Sequence, residues 1–253
     1  MKVSLVQRSI EWLDFKKNWA DVEKYIAECA DSQVVVLPEM FSTGFCMEPE
    51  KSAVGGAETL GWMQEMAKKY SVNLLGSVAV EENGAYYNRF YIVKPSGEFT
   101  KYDKRHLFTF AGEDKRYKAG NERVIVEVEG VRILLIVCYD LRFPVWIRNR
   151  ADYDLILCVA NWPKSRRSAW DALLRARAIE NLCYLGGVNI VGEDPSAVYS
   201  GGTAAINYIG ATIARVEDDV KGIATFEVDM EALNAFRAKF PALNDADNFE
   251  LEM

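Results

Sequence analysis

Hydrophobic positions along this chain follow two periods, an alternation or short continuous run typical of strands and a three-to-four spacing typical of helices. Strand-like segments lie at residues 1–9, 33–37, 72–80, 86–93, 124–128, 131–137, 154–160, 184–191, 203–216 and 222–228. Helical spacing marks residues 12–30, 58–70, 144–150, 167–181 and 230–240. Strands that alternate with helices predict an α/β fold.

Turn signals refine this prediction to a mixed sheet. Asn83-Gly84 and Glu129-Gly130 each separate two neighbouring strand segments, as expected for hairpins. A purely parallel winding is therefore excluded. No linker, repeat or low-complexity segment interrupts the chain, so residues 1–253 are interpreted as one domain. The tail at 232–253 either covers a partner subunit or frays.

The overall charge narrows the class of partner. A net charge of −7 and an isoelectric point near 5.0 argue against nucleic-acid binding, although a locally basic pocket can still hold a small anion. No apolar run reaches the ~18 residues of a membrane helix. The first residues are typical of a strand and not of a signal peptide, so the cytoplasm is the expected compartment.

The counts of cysteine and histidine exclude several kinds of site. Five widely spaced cysteines without a Cys-x-x-Cys pair argue against a disulfide framework or a zinc knuckle. With His106 as the single histidine, one chain cannot build a zinc site of the three-His or two-His-and-Glu type. No metal is therefore expected.

Three residues whose side chains could take part in a reaction each follow a predicted apolar strand. They are Glu39, Cys138 and Asn161. Strand ends from separate segments can meet in one cleft. Cys138 precedes a predicted helix, where a thiolate is favoured, although free cysteines are often plain core residues. Glu39 next to apolar walls is a candidate general base, or alternatively a capping or salt-bridged acid. Lys104 is either a cation for a developing oxyanion or an ordinary surface lysine.

Three motifs with these residues occur in a characteristic order: LPEMF at 37–41, YDKRHLF at 102–108 and VCYDLRFP at 137–144, followed by ARAIEN at 176–181. In order and spacing they resemble the nitrilase (carbon–nitrogen hydrolase) superfamily over residues 1–228. The resemblance implies a four-layer α-β-β-α sandwich with mixed sheets, in a protein that dimerises by stacking sheets. It also implies an amidase mechanism without metal or cofactor.

The same resemblance implies roles for individual residues. Cys138 would attack an amide carbonyl, and Glu39 would accept the thiol proton and pass a proton to the departing ammonia. Lys104 and the backbone N–H of Tyr139 would hold the oxyanion of the tetrahedral intermediate. Glu113 would orient Lys104 and the substrate amide, unless it is a solvated loop acid. His106 is expected to be structural, because this mechanism does not require it.

The residues beside the nucleophile indicate the substrate. Tyr139-Asp140 resembles the amidase branches, and the longer pattern with Asn161-Trp162-Pro163 resembles bacterial omega-amidases, which hydrolyse the terminal amide of 2-oxoglutaramate and 2-oxosuccinamate. Such substrates carry a carboxylate, which an arginine in the pocket is expected to bind. Arg166 is the first candidate, followed by Arg142 and Arg116. Each of them can equally form a structural ion pair. Candidate walls for the carbon chain, or plain packing residues, are Phe41, Phe45, Tyr139 and Trp162.

Two alternative functions remain at this stage. One is another amidase of the superfamily, such as a hydrolase of N-carbamoyl amines or amino acids, which would share Glu39, Lys104 and Cys138. The other is a nitrilase-fold protein that binds or assembles without turnover. An intact set of acid, cation and thiol favours catalysis, because a binding scaffold has no physical need for it.

Overall fold

Fourteen strands and six helices make up the protein in the computed structural model, which describes residues 1–251. The strands are β1 (Lys2–Gln7), β2 (Val34–Val36), β3 (Asn73–Glu82), β4 (Ala85–Val93), β5 (Phe99–Asp103), β6 (Ile125–Val128), β7 (Val131–Val137), β8 (Leu155–Val159), β9 (Tyr184–Val188), β10 (Val191–Glu193), β11 (Val198–Ser200), β12 (Ala204–Ile206), β13 (Thr212–Arg215) and β14 (Gly222–Glu227). The helices are α1 (Phe15–Glu28), α2 (Pro49–Ser52), α3 (Gly56–Tyr70), α4 (Pro144–Ile147), α5 (Arg167–Glu180) and α6 (Met230–Lys239).

Two six-stranded sheets contain most of these strands. The first has the order β14-β1-β2-β3-β4-β5 and the second the order β13-β12-β9-β8-β7-β6. Strands β1, β2 and β3 are mutually parallel, as are β7, β8 and β9, and the flanking strands pair antiparallel. The predicted mixed α/β architecture is confirmed. Strands β2 and β8, which lie within the parallel parts of the two sheets, are apolar throughout because both of their faces are covered.

The two sheets pack face to face, and helices cover their outer faces. Leu5 of the first sheet contacts the backbone at Gly186 of the second, and both sheets contribute to one buried core. Helices α1 and α3 pack outside the first sheet, through residues such as Ile26 and Met63. Helix α5 covers the second sheet, where Leu174 lies against Gly187. These layers form the predicted α-β-β-α sandwich.

The predicted hairpins form as expected. Asn83 and Gly84 have φ values of 53° and 74° and close β3 onto β4, with Glu82 opposite Ala85. Two consecutive residues with positive φ define a type I′ turn, whose twist matches that of the strands. Local residue chemistry therefore determined the antiparallel edge of the first sheet.

Some element boundaries differ from the prediction. Helix α1 begins at Phe15 and not at Trp12, because Asp14 caps it by accepting a hydrogen bond from the Lys17 N–H at 3.1 Å. Helix α2 and the two-stranded ribbon of β10 and β11 were not predicted, since each covers no more than four residues. Segments this short carry too little periodic signal.

The C-terminal segment packs partly on its own chain. Leu233 of α6 is fully buried, and Arg237 donates a hydrogen bond to Asp154 at 2.6 Å. Residues 252 and 253 of the predicted tail lie outside the described residues. An interface role of segment 232–253 stays a prediction. Among residues 1–251, no helix combines the length and apolar composition needed to cross a membrane.

Candidate active site

The ends of four strands converge on one cavity. Glu39 follows β2, Lys104 follows β5, Cys138 follows β7 and Asn161 follows β8. Cys138 and Asn161 line an open cavity of about 690 Å³. Because parallel strands present their carboxyl ends at the same edge of a sheet, residues far apart in sequence meet there. The fold thus brings together the three strand-end residues and Lys104, all four of which the sequence singled out.

A buried lysine lies between two carboxylates beside Cys138. The Lys104 ammonium donates to Glu39 Oε1 at 3.0 Å and to Glu113 Oε1 and Oε2 at 3.1 and 2.9 Å. All three side chains are excluded from solvent. Burial acts to lower the pKa of Lys104, but Glu113 and Glu39 outweigh it and raise the pKa well above its usual value. The lysine is therefore a fixed cation at neutral pH, and its alternative as a surface lysine is excluded.

Further hydrogen bonds fix the Glu39 carboxylate. Oε1 accepts from Asn88 Nδ2 at 2.7 Å in addition to Lys104, whereas Oε2 accepts from the Asn161 backbone N–H at 2.8 Å. The Asn161 side chain returns a bond from Nδ2 to the Glu39 carbonyl at 3.0 Å. One oxygen thus has two donors and the other has one. Capacity to take up a proton remains on Oε2.

Cys138 lies on a sharp turn at the end of β7. Its φ of 47° is in the left-handed region, which costs a non-glycine residue about 1–2 kcal/mol. The turn continues as a short 3-10 segment over Cys138–Arg142 and then as α4. Burial and the Glu39 carboxylate raise the thiol pKa well above 9.0, and Lys104 opposes them only in part. The resting sulfur is consequently protonated at neutral pH and needs a base to react.

Alkylation by iodoacetamide should modify Cys138 before the other four cysteines. Cys138 is partly exposed to the cavity, whereas Cys29, Cys46, Cys158 and Cys183 are buried. Because the Cys138 pKa is raised, its thiolate fraction still grows between pH 7 and 9, and the labelling rate should rise with pH over this range. Peptide mass spectrometry after timed labelling measures both. Earlier labelling of Cys46, or a rate that levels off near pH 7, would contradict this thiol environment.

Two arginines on the cavity wall have no carboxylate partner among residues 1–251. Arg166 lies over the Phe108 ring at 5.0 Å, and Arg142 lies over the Trp162 ring at 5.0 Å. By contrast, the neighbouring Arg167 pairs with Asp171 at 2.8 Å. Guanidinium groups stacked on aromatic rings keep their N–H donors free for an anion. The cavity is therefore locally basic although the chain is acidic.

The structure corrects two sequence-based candidates for substrate contact. Phe41 is fully buried in the core, where its ring packs against Gly76 and lies 6.1 Å from that of Trp62, so it is not on the cavity wall. The chain direction after Pro38 turns this side chain toward α3. Arg116 pairs with Glu50 at 2.6 Å in a partly exposed ion pair, and is not among the cavity-lining residues. Phe45, Tyr139 and Trp162 do line the cavity.

Sequence reasoning missed Asn88. It lies inside β4 between polar and aromatic residues, and its side chain is fully buried. Its Nδ2 also approaches Glu113 Oε1 at 3.4 Å, so one amide touches both carboxylates. The one available signal was a polar asparagine within a strand whose second half is largely apolar. Its partners were not visible from spacing.

Glu113 is buried and not the solvated loop acid of the alternative interpretation. Two 3-10 turns, Thr109–Ala111 and Glu113–Lys115, fold the predicted loop over the site. The Phe108 backbone N–H donates to Glu113 Oε2 at 2.6 Å. Burial raises the pKa of Glu113, against the opposing effect of Lys104. Within residues 1–251, no group of three or more His, Cys, Asp or Glu side chains is arranged to hold a metal ion.

A buried acid, a buried cation and a thiol on an α-β-β-α sandwich define a hydrolase of the carbon–nitrogen type. The chain belongs to the carbon–nitrogen hydrolase family, whose sequence model matches residues 2–238. It is 45% identical to omega-amidase YafV of Escherichia coli K12 over 252 residues, 99% of this chain and 98% of that protein. It is 33% identical to the 2-oxoglutaramate amidase of Bacillus subtilis, covering 96% of each chain.

Solved structures agree with this assignment. XC1258 from Xanthomonas campestris, a CN-hydrolase superfamily protein with an arsenic adduct in its active site, superposes with a TM-score of 0.96 at 40% identity. The match covers 100% of this chain and 99% of that one. The protein is therefore an enzyme, with an omega-amidase type of activity supported by its relatives, and the alternative of a binding scaffold without turnover is set aside.

Proposed function

We propose that this enzyme hydrolyses the terminal amide of a small 2-oxo dicarboxylic acid monoamide, such as 2-oxoglutaramate or 2-oxosuccinamate, to ammonia and the diacid. The observation that carries the proposal is that Cys138 lies in one cavity with two unpaired arginines and has the buried Glu39–Lys104 pair beside it. The acid, cation and thiol suit attack on an amide, and the arginines suit a substrate carboxylate. The names of the two amidase relatives point to the same substrates.

In the first half of the reaction Cys138 forms a thioester. Glu39 takes the Sγ proton as sulfur attacks the amide carbonyl, and the carbonyl oxygen gains negative charge. Lys104 Nζ and the Tyr139 backbone N–H stabilise that charge. When the intermediate collapses, the C–N bond breaks and Glu39 returns the proton to nitrogen, which leaves as ammonia.

In the second half a water molecule replaces ammonia. Glu39 takes one proton from this water, whose oxygen attacks the thioester carbonyl. Lys104 again stabilises the oxyanion, the C–S bond breaks, and the proton returns to sulfur. The balance is one amide and one water consumed for one carboxylic acid and one ammonia. Glu113 keeps Lys104 in place through both halves by its two contacts of 3.1 Å or less.

Ammonia release from a panel of amides tests the substrate. The panel contains 2-oxoglutaramate, succinamate, glutamine, an N-carbamoyl amino acid and a simple nitrile, with Cys138→Ala as the control for background. We expect the highest kcat/KM for 2-oxoglutaramate. Turnover of the carbamoyl compound alone would instead support the N-carbamoyl hydrolase alternative. No release from any member of the panel would overturn the proposal.

Arg166→Ala should raise KM for 2-oxoglutaramate about 10- to 100-fold, the range for loss of a hydrogen bond to a charged group. The effect on a neutral amide of similar length should be small, because the guanidinium contacts only the carboxylate. Arg142→Ala provides the matched variant on the same wall. Steady-state kinetics on both substrates separate the two arginines. Equal changes for the charged and the neutral amide would remove Arg166 from carboxylate binding.

Two broader proposals complete this assignment. A homodimer follows from the family resemblance, and light scattering of the purified enzyme measures it; because helices cover the outer faces of both sheets, its interface would involve helices and not bare sheets. A cytoplasmic location is the second proposal, and fractionation of cells that express the enzyme measures it. Neither is needed for the chemistry above, which uses residues of one chain only.

A further inference from the structure

Asp140 is fully buried, lies two residues after the nucleophile and does not line the cavity. Its Oδ2 accepts from the Val137 backbone N–H at 2.9 Å and from the Tyr102 hydroxyl at 2.7 Å. Its Oδ1 accepts from the His106 backbone N–H at 2.9 Å and contacts His106 Nδ1 at 2.8 Å. The catalytic mechanism proposed above leaves this group unused.

The partners of Asp140 come from both catalytic segments. Val137 directly precedes Cys138, so its N–H belongs to the strained turn that presents the sulfur. Tyr102 and His106 lie two residues before and two residues after Lys104. The Asp140 carboxylate therefore connects the turn that carries Cys138 to the chain on both sides of Lys104. The Asp140 side chain makes no other hydrogen bond within residues 1–251.

Neighbouring groups hold this junction rigid. The His106 imidazole stacks on Phe143 with ring centroids 3.8 Å apart and planes 6° apart. The Tyr102 hydroxyl also accepts from the Arg105 N–H at 3.2 Å. A left-handed conformation at a residue such as Cys138 persists only where surrounding contacts enforce it. The hydrogen bond from Val137 to Asp140 is a contact of that kind.

We propose that Asp140 is a positioning residue, which fixes the distance between Cys138 and Lys104 by holding Val137, Tyr102 and His106 on one carboxylate. The inference rests on the proposed roles of Cys138 and Lys104, and is independent of which amide is the substrate. His106 gains a function through this contact, as one of the two side-chain ligands of Asp140. Asp140 itself touches no reacting atom.

Asp140→Asn is the direct test, because the amide has the size of the carboxylate but only one acceptor oxygen. The backbone N–H groups of Val137 and His106 donate to different oxygens of Asp140, and a backbone N–H cannot act as an acceptor. In the variant the new NH₂ group must therefore face one of these donors, and that hydrogen bond is lost. The released turn should lower kcat about 100-fold, as for a misplacement near 1 Å, and leave KM almost unchanged. Alkylation of Cys138 by iodoacetamide should also slow, because the displaced thiol loses its base.

Asp154→Asn is the matched control. Asp154 is 1% exposed and accepts from Arg132 N, Nε and Nη2 and from Arg237 Nη1 at 2.6–3.1 Å, far from the cavity at the other end of the same sheet. It should lower the melting temperature as Asp140→Asn does, but keep kcat and the alkylation rate of the wild type. Equal kcat values for the two variants, measured well below both melting temperatures, would overturn the proposal.

Tyr102→Phe decides the question if Asp140→Asn does not fold. It removes one donor and leaves the carboxylate, so kcat and the alkylation rate should fall by less than in Asp140→Asn. Wild-type values for both in a folded Tyr102→Phe variant would overturn the proposal. If the wild type hydrolyses no amide of the panel, the proposed function fails, and the Cys138 alkylation rates of these variants still test the positioning role.

Discussion

Glu39→Gln should lower kcat by about 10³-fold, in the range for loss of a general acid–base. Glutamine keeps the size of the side chain and can still accept from Asn88 or the Asn161 N–H, but it cannot accept the thiol proton. Burial, the largest cause of the raised Cys138 pKa, persists in the variant, so little thiolate forms without a base at neutral pH. Ammonia release measured from pH 6 to 9 tests this, and the variant's rate should rise with pH throughout.

Glu113→Gln is the matched control, because it makes the same change at the other carboxylate that accepts from Lys104. It leaves Glu39 as the base, so the decrease in kcat should be clearly smaller than for Glu39→Gln. Its pH dependence should keep the shape of the wild type. A larger loss in Glu113→Gln would assign the base to Glu113, and a loss below tenfold in Glu39→Gln would remove Glu39 from that role.

Lys104→Met should have the largest effect on stability, a loss of about 3–5 kcal/mol in the free energy of unfolding, and should abolish turnover. The change leaves Glu39 and Glu113 buried beside each other without a cation. Removal of one member of a buried ion cluster is costly, because the remaining charges are neither solvated nor paired. Urea denaturation of the variant and the wild type measures the difference.

The loss in Lys104→Met should depend on pH. Burial already raises the Glu113 pKa above its ordinary value of 4.5, and without Lys104 it rises further. Between 4.5 and this raised pKa the native state binds more protons than the unfolded state, so stability falls as pH rises through that window. The deficit against the wild type should therefore be smallest near pH 4.5 and grow toward neutral pH.

Two variants check the cause of that loss. Lys104→Met combined with Glu113→Gln removes one of the two unpaired charges and should recover part of the stability. Lys101→Met removes an exposed lysine from β5, where it pairs with Glu82 at 3.0 Å, and should cost no more than about 1 kcal/mol. If the double variant is no more stable than Lys104→Met, repulsion between buried carboxylates is not the reason for the loss.

Local information in the sequence determined most of the strands and the hairpin at Asn83-Gly84, whereas the order of layers was implied by the family resemblance. The apolar run of β7 ends in a thiol, and β2 leads to Glu39, so the strand-end residues were visible from periodicity alone. Their assignment as catalytic candidates needed the spacing of the flanking motifs. These features are short-range, because each depends on residues that are neighbours in the chain.

Only the tertiary structure decided which side chains share the cavity and which support it. Glu113 became a buried ligand of Lys104, Phe41 turned into the core, and Arg142 joined Arg166 on the wall. Asp140 linked Val137 to two residues more than thirty positions earlier. Sequence spacing does not encode such pairings, because they depend on which strand ends meet across the two sheets and on the direction each side chain takes there.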